Sequence, residues 1–320
     1  MAISEKTQGE KFKTMIGGQE LIEGIMMRGP EKDAVVVTNG KELTVEVHPR
    51  KVIPPKSIKR LPFIRGMVNF FDSQVVGVKA LMRSADLAPE EYQEEPSKLD
   101  LWLEKMLGNE TFQKVVVGIA VAMGMGLSIV LFFLLPMVIS GFLDGIIHST
   151  IGLNLVEGLI RMVIFMAYMI LISRMGEMKR VFAYHGAEHK TIRCYEAELP
   201  LTVENVRPQT RLHPRCGTSF LFVVIIISIL VSAVFSAIFP IGNTVLRMLS
   251  RLVMLPFIVA IAYEFNRLVA RHDNALTRAL TAPGMWFQLF TTNEPDDSMI
   301  EVAIEALTLV LPEQEGADRW

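Results

Sequence analysis

Cysteine is scarce in this sequence. Cys194 and Cys216 are the only two in 320 residues, which excludes a disulfide scaffold. An excess of charge is also missing: 32 Lys and Arg against 34 Asp and Glu leave a formal net charge of −2. A nucleic-acid partner would need a concentrated basic face, so none is expected. Residues 1 to 15, MAISEKTQGEKFKTM, lack the apolar stretch of a signal peptide, and the N-terminus is expected to stay in the cytoplasm. Charged residues make up only 21% of the chain, whereas 51% is hydrophobic and mean hydropathy is +0.36. That balance exceeds what a soluble chain of this length carries and directs attention to membrane spans. Nineteen methionines add adaptable apolar packing.

The apolar residues gather in four runs. Residues 115 to 143 are long enough to cross a bilayer with some tilt, since about 20 residues suffice. Residues 153 to 172 form a second run, interrupted by Glu157 and Arg161. Residues 220 to 239 have serine as their only polar type. Residues 246 to 265 contain Arg247, Arg251 and Pro256. Orientation is read from the basic residues. Lys98, Lys105 and Lys114 precede the first run, Arg267 and Arg271 come after the fourth, and Lys179, Arg180, Lys190, Arg193, Arg207, Arg211 and Arg215 lie between the second and third. The segment DGIIHSTIGLN, between the first and second, has no Lys or Arg. Both termini and the central segment, 174 to 218, are therefore expected in the cytoplasm. Arg161, Arg247 and Arg251 oppose that pattern and need partners. Glu157 and Arg161 stand one helical turn apart and are expected to pair near the helix end.

The expected fold is mostly α: an integral membrane bundle of about four transmembrane helices, with a small cytoplasmic β-hairpin element and cytoplasmic helices. Residues 1–15 read as a disordered tail and 16–60 as the hairpin segment. Two β-rich runs, 34 to 38 and 42 to 47, flank Asn39-Gly40, a pair suited to a two-residue turn. Residues 61–114 contain an amphipathic helix over 64 to 84, to lie on the membrane or pack on the bundle, then an acidic linker, PEEYQEEPSKLD, and a pre-membrane helix. Residues 115–265 hold the spans. Residues 266–320 carry helices over 266 to 280 and 298 to 310, divided by the turn-rich APGMWFQLFTTNEPDD, with Asp297 or Ser298 as the second helix's N-cap.

Chemistry concentrates in the central segment, which holds both cysteines and His185, His189 and His213. His185-Gly-Ala-Glu188-His189 is an H-x-x-E-H string. On a helix its two histidines share one face and can reach one metal ion, while Glu188 can take a proton from water at that metal, the logic of inverted zincins. His213-Pro-Arg-Cys216 adds a nitrogen and a sulfur three residues apart, a spacing a metal site can use. Two imidazoles favour a divalent transition metal, zinc, over Mg or Ca. The competing reading makes the histidines hydrogen-bonding groups at a helix end and the cysteines small apolar ones.

Several long strings then carry a resemblance: GGQELIEGIMMRGP (17 to 30), YHGAEHKTIRCYE (184 to 196), LTVENVRPQTRLHPRCGTSFL (201 to 221) and PGMWFQLFTTNEPDDSMIEVAIEAL (283 to 307). By these the chain resembles the YqhQ-like family of uncharacterised bacterial membrane proteins, described as predicted metal-dependent enzymes. Carried over residue by residue, the resemblance points to His185, Glu188, His189, His213 and Cys216. Glu20 stands where a small residue is expected and receives no functional meaning.

The first of these strings reads as a turn-rich approach to the hairpin in preference to a ligand loop using Glu23. Glu294, Asp296 and Asp297 read as an acidic helix start in preference to a cation site. The expected function is metal-assisted hydrolysis at the cytoplasmic membrane surface. His185 and His189 bind the metal, and His213, Cys216 or Glu264 completes the set. Glu188 is the base, and Arg211 or Arg215 stabilises developing negative charge. The alternative is a non-enzymatic membrane scaffold with a structural metal site or none. Expected partners are the lipid bilayer, a substrate the sequence does not identify, and other membrane proteins or a second copy.

Overall fold

The computed structural model describes residues 11–89 apart from 51, 52 and 55, and residues 109–319 apart from 144, 240, 242, 273 and 315. The acidic linker and residues 1–10 of the expected tail lie outside the described residues. Four strands, β1 (Gly17–Leu21), β2 (Gly24–Arg28), β3 (Lys32–Thr38) and β4 (Leu43–Pro49), lead into helices α1 (Ile64–Leu87) and α2 (Asn109–Ile129). A π-helical turn (Val130–Leu134) joins α2 to α3 (Leu135–Gly141). Then come α4 (Thr150–Ile172), α5 (Gly176–Glu196), the short α6 (Val203–Val206), α7 (Gly217–Ile238), α8 (Thr244–Arg271), α9 (Ala275–Thr291) and α10 (Asp297–Val310).

Four helical segments are long and apolar enough to cross a membrane: Val115–Gly141, Ile151–Ile172, Gly217–Ile238 and Val245–Val269. They coincide with the four apolar runs, since run length alone sets this property. The Glu157–Arg161 pair is present at 3.0 Å, and Arg251 binds the same carboxylate. The chain divides into two compact units. One holds the sheet, α1, α5, α6, α9 and α10; the other holds α2, α3, most of α4 and α7, and the first part of α8.

The sheet is larger than the single hairpin expected. Its strands form an antiparallel meander in sequence order, and GGQELIEGIMMRGP supplies two of them in place of a turn-rich approach. Leu21 pairs with Gly24, and Glu23, at φ 51°, helps form the tight turn between them. Gly-Ile-Met-Met in β2 is buried throughout because the strand is covered on both faces. Ile25 and Met27 join β3, α5 and α10 in the main core, while Met26 joins Ala80 of α1. A strand covered twice shows no apolar–polar alternation, so its period is invisible. The β3–β4 turn is also displaced by one residue from Asn39-Gly40. The Asn39 amide donates to the Glu42 carbonyl, Gly40 takes φ 85°, and the Asn39 side chain accepts from the Lys41 and Glu42 amides.

In α1 it is the small face that packs: Gly66, Gly77, Ala80 and Ser84 are buried, while Phe71, Val75, Val78 and Leu81 are exposed. Residues 11–15, read as part of a disordered tail, are pinned. Lys11 and Met15 donate to the carbonyls of Glu196 and Asp318, and buried Thr14 bonds Asp318 through its hydroxyl at 2.5 Å.

The expected helix over 266 to 280 is broken, because Asn274 makes a reciprocal capping box with Thr277 and starts α9. That helix continues through Pro283 into the segment read as turn-rich. Buried Phe287, Gln288 and Thr291 hold its last turns, so packing overrides propensity. Asp296, not Asp297 or Ser298, caps α10 by accepting from the Met299 amide.

Helix α5 is the element that positions the chemistry, and it is buried almost all round from Phe182 to Ile192. The Asn293 amide donates to the Phe182 carbonyl at 2.7 Å, and a Cβ on Gly186 would overlap the Asn293 carbonyl oxygen. Gly186→Ala is expected to destabilise the fold by about 1–3 kcal/mol, the usual cost of overpacking. The thermal midpoint of the purified variant should fall by several degrees, and an unchanged midpoint would contradict this close approach.

Candidate metal centre

Helix α5 places six polar residues, His185, Glu188, His189, Lys190, Thr191 and Glu196, in the interior. Burying such groups is costly unless each finds a partner. Three of them bind main-chain carbonyls of neighbouring segments. His185 Nδ1 is 2.8 Å from the Thr291 oxygen, His189 Nδ1 is 2.5 Å from the Arg211 oxygen, and Lys190 donates to the Arg207 oxygen at 2.9 Å. Arg193 adds a bond to the Leu212 oxygen at 2.7 Å. The segment 207–212 is thereby stapled along α5. Gln288 then anchors the chain between this segment and α7: it accepts from the His213 amide and donates to the His213 carbonyl and the Ser219 hydroxyl.

These bonds determine the imidazole tautomers. A carbonyl only accepts, so Nδ1 of each histidine carries a proton, and the neutral ring presents a bare Nε2. The Nε2 of His185 lies 3.1 Å from the Cys216 sulfur. The Nε2 of His189 is buried and, among the described residues, has no hydrogen-bond partner. His185, His189 and Cys216 each place a ligand atom within 4.8 Å of the others. Cys216 immediately precedes α7, where the Thr218 amide approaches its sulfur at 3.3 Å and the Thr218 hydroxyl at 3.1 Å.

A second trio shares His185. Glu20 and Glu188 bring carboxylate oxygens within 4.8 Å of it and of each other, with Glu20 3.6 Å from His185 Nδ1. Glu188 accepts the Gly18 amide at 2.8 Å, and a Cβ on Gly18 would lie 2.8 Å from the Glu188 carboxyl carbon, so β1 approaches closely only because residue 18 is glycine. Burial, reinforced by Glu20 and opposed by His185 and the Gly18 bond, pushes Glu188 up to about 7. Burial works against a charge on His185, but Glu20, Cys216 and Glu188 outweigh it and hold its pKa well above the ordinary imidazole range. Burial, with His185 and His213 nearby, keeps His189 well below that range. The cluster thus retains one neutral imidazole and favours one positive charge among anionic neighbours.

The other expected residues are placed differently. The His213 ring centroid lies 5.5 Å from that of His189, but His213 Nε2 faces Glu196 at 3.4 Å and stands beside the trio. Arg215 also binds Glu196, whose carboxylate accepts the Thr14 amide. Arg211 contributes its carbonyl to His189. Glu264, expected as a third ligand, joins neither trio. Its carboxylate is engaged by the Arg65 guanidinium and the Phe63 amide, a compensation its position near the end of α8 demands. Glu23 binds Arg180 at 2.5 Å and Tyr184 at 3.3 Å, a partner set for the sheet turn and not for a ligand. Glu294 pairs with Lys190 and Asp297 with Arg207, which uses up the acidic helix start. Sequence reasoning missed Glu20 and Glu196. The one signal for Glu20 was a charged residue where a small one was expected.

The structure defines a mostly helical chain with four helices of membrane length and a buried His–His–Cys cluster beside a small antiparallel sheet. The family model described as "Protein of unknown function (DUF1385)" matches residues 61–313, and the chain belongs to this family. "Uncharacterized protein YqhQ" of Bacillus subtilis (strain 168) is 33% identical over 307 residues, 94% of this chain and 93% of that protein. No solved structure matches the chain. The matched region contains His185, Glu188, His189, His213 and Cys216, while Gly18 and Glu20 precede it.

The two thiols give a direct check on the cluster. Cys194 is fully buried, and burial pushes its thiol up to about 11, so it stays protonated and unreactive at mildly alkaline pH. In chelator-treated protein, alkylation should therefore reach Cys216 before Cys194, and added zinc should slow modification of Cys216 only. Peptide mass mapping reads the sites, and zinc-independent labelling of Cys216 would remove it from the ligand set.

Proposed function

We propose that the chain is a multi-pass protein of the plasma membrane, with both termini cytoplasmic. In this reading His185, His189 and Cys216 hold a divalent transition metal, zinc, for hydrolysis at the cytoplasmic membrane surface. The observation that carries this reading is the Nε2 of His189, buried and without a hydrogen-bond partner among the described residues, beside the His185–Cys216 pair. A lone pair shut away from water without a donor is costly, and a cation is the complement it lacks. Two imidazoles and a thiolate suit zinc, and three protein ligands leave room for a substrate or water, as catalytic sites require.

A bound zinc ion supplies Lewis acidity, polarising a carbonyl or phosphoryl group and making water a competent nucleophile at neutral pH. The chain's residues do the rest. Thr291 and Arg211 hold the two rings in the ligating tautomer through their carbonyls. Glu188, with its pKa brought to about 7, accepts a proton from the attacking water, where a general base works best. Arg215 is committed to Glu196 and beside His213, so it acts as a positioning residue for the segment leading to Cys216 and not as an anion stabiliser.

One observation favours a second reading. All three ligands are deeply buried, His185 at 2% exposure, His189 at 1% and Cys216 at 8%, as in a structural site. There the metal would only join α5 to the start of α7 in a scaffold for other membrane proteins or a second copy. Metal analysis and complementation separate the two. His189→Ala should lose bound metal under either reading. Glu188→Gln should keep the metal and the protein level yet lose about 10²–10⁴-fold in activity, the usual cost of removing a general base, and fail to complement a deletion. Full complementation by Glu188→Gln, with His189→Ala defective only in proportion to its abundance, selects the scaffold.

A further inference from the structure

A second group of buried charges lies among the membrane-length helices, and among the described residues it does not balance. Glu157 of α4 is 4% exposed and accepts from both Arg161 and Arg251, themselves 7% and 8% exposed. Arg161 completes its bonding with the Phe132 carbonyl at 2.8 Å and the Ser228 hydroxyl at 3.2 Å. One carboxylate between two guanidiniums leaves one positive charge, and Arg247, a turn before Arg251 on α8, adds another. Its Nε is buried with no partner among the described residues. Uncompensated charge at this depth is expensive and marks a functional site by default.

The space next to these groups is a cavity of about 270 Å³ lined by Asn154 of α4, Ser232 and Ser236 of α7, and Arg247, Ser250 and Arg251 of α8. Arg251 donates to Asn154 Oδ1 at 2.8 Å. A guanidinium only donates, so this bond fixes the amide's orientation and makes its other end a donor. That donor, Asn154 Nδ2, is buried and has no partner among the described residues, although Asn154 is 9% exposed and lines the cavity. Guanidinium and amide donors thus converge with serine hydroxyls on one cavity, and no carboxylate is among the described residues that line it. Phe235 and Phe239 supply part of its apolar wall.

We infer that this cavity is an anion site for a phosphate group, bound by Arg247, Arg251 and Asn154 Nδ2. A tetrahedral oxyanion offers several acceptors in different directions, which matches guanidinium and amide donors from α8 and α4 beside the serine hydroxyls of α7, and guanidiniums pair with it in fork geometry. The group is either the headgroup of an anionic phospholipid or a free phosphate. The inference uses the membrane placement proposed above for the lipid source alone and none of the metal chemistry.

The test uses the full chain purified in detergent, probed with phosphatidylglycerol, with diacylglycerol of the same acyl chains, and with inorganic phosphate. Native mass spectrometry reads the retained lipid, and the thermal midpoint reads stabilisation. Phosphatidylglycerol should be retained and should raise the midpoint, with diacylglycerol inert. Competition by inorganic phosphate would identify a small-anion site, and retention without competition a lipid headgroup site. Stabilisation by inorganic phosphate alone would likewise assign the free anion. Arg247→Gln should weaken binding at least tenfold while leaving metal content unchanged, which keeps this outcome separate from that of the metal reading. Arg247→Lys, which keeps the charge and loses the fork, should fall between, and monodisperse elution of both variants checks folding. Equal effects of phosphatidylglycerol and diacylglycerol with no response to phosphate, or wild-type binding by Arg247→Gln, overturn the proposal.

Discussion

Two imidazole Nδ1–H groups on adjacent turns of α5 donate to main-chain carbonyls, one 106 residues away at Thr291 and the other 22 residues away at Arg211. Most of the arrangement around the cluster depends on this pair of bonds. They dock the end of α9 and the segment before α7 onto one helix face. They also settle which ring nitrogen carries hydrogen, leaving both Nε2 atoms to whatever lies between the histidines and Cys216. A bond from the first sphere of a site to the backbone is hard to substitute away, because no side chain forms the acceptor. The site is built on a rigid helix, with the backbone as its supporting shell.

Around this pair, buried charges are offset one by one. Glu196 is fully buried at the end of α5 and answers Arg215, with the Thr14 amide and His213 at the same carboxylate. Glu23 answers Arg180 at the β1–β2 turn. Breaking such a pair strands a buried charge and costs far more than the pair contributes, so these contacts impose geometry more than they add stability. Glu20 and Glu188 differ in that, among the described residues, His185 and the Gly18 amide are what lies near to offset them. Two carboxylates beside one imidazole create a field that favours a cation, consistent with the raised pKa of His185.

Sequence alone discloses those features whose signal is local. The apolar runs, the histidines on one helical face and the Glu157–Arg161 pair need only composition and spacing. Features made by tertiary contact were illegible. Strand β2 loses its alternation because α1 covers one face and α5 with α10 the other. Helix α9 runs through Pro283 because its last turns are buried. Glu264 is expected to complete the ligand set, whereas Arg65, distant in sequence, claims it. Glu20 comes to the site through strand register, and register was hidden once β1 and β2 were read as turns. His213 and Cys216 stand three residues apart in sequence, yet only Cys216 enters the trio, because Gln288 fixes the His213 backbone and His213 Nε2 faces Glu196.

The two polar centres differ in sign, and that difference stems from their bonding. In the His–His–Cys trio the atom without a hydrogen-bond partner among the described residues is an acceptor, His189 Nε2, near carboxylates and a thiol. Among the membrane-length helices the unsatisfied atoms are donors, Asn154 Nδ2 and Arg247 Nε, beside two guanidiniums sharing one carboxylate. A fold selected for stability alone has no reason to leave either set open, because apolar replacements of similar volume would do as well or better. A buried acceptor among anions is completed by a cation, and buried donors among cations are completed by an anion. Both ligands would bind only the folded chain, so each would add stability in proportion to its occupancy. If both centres were filled, occupancy would offset the cost of leaving them incomplete and would be part of how this chain reaches its stable state.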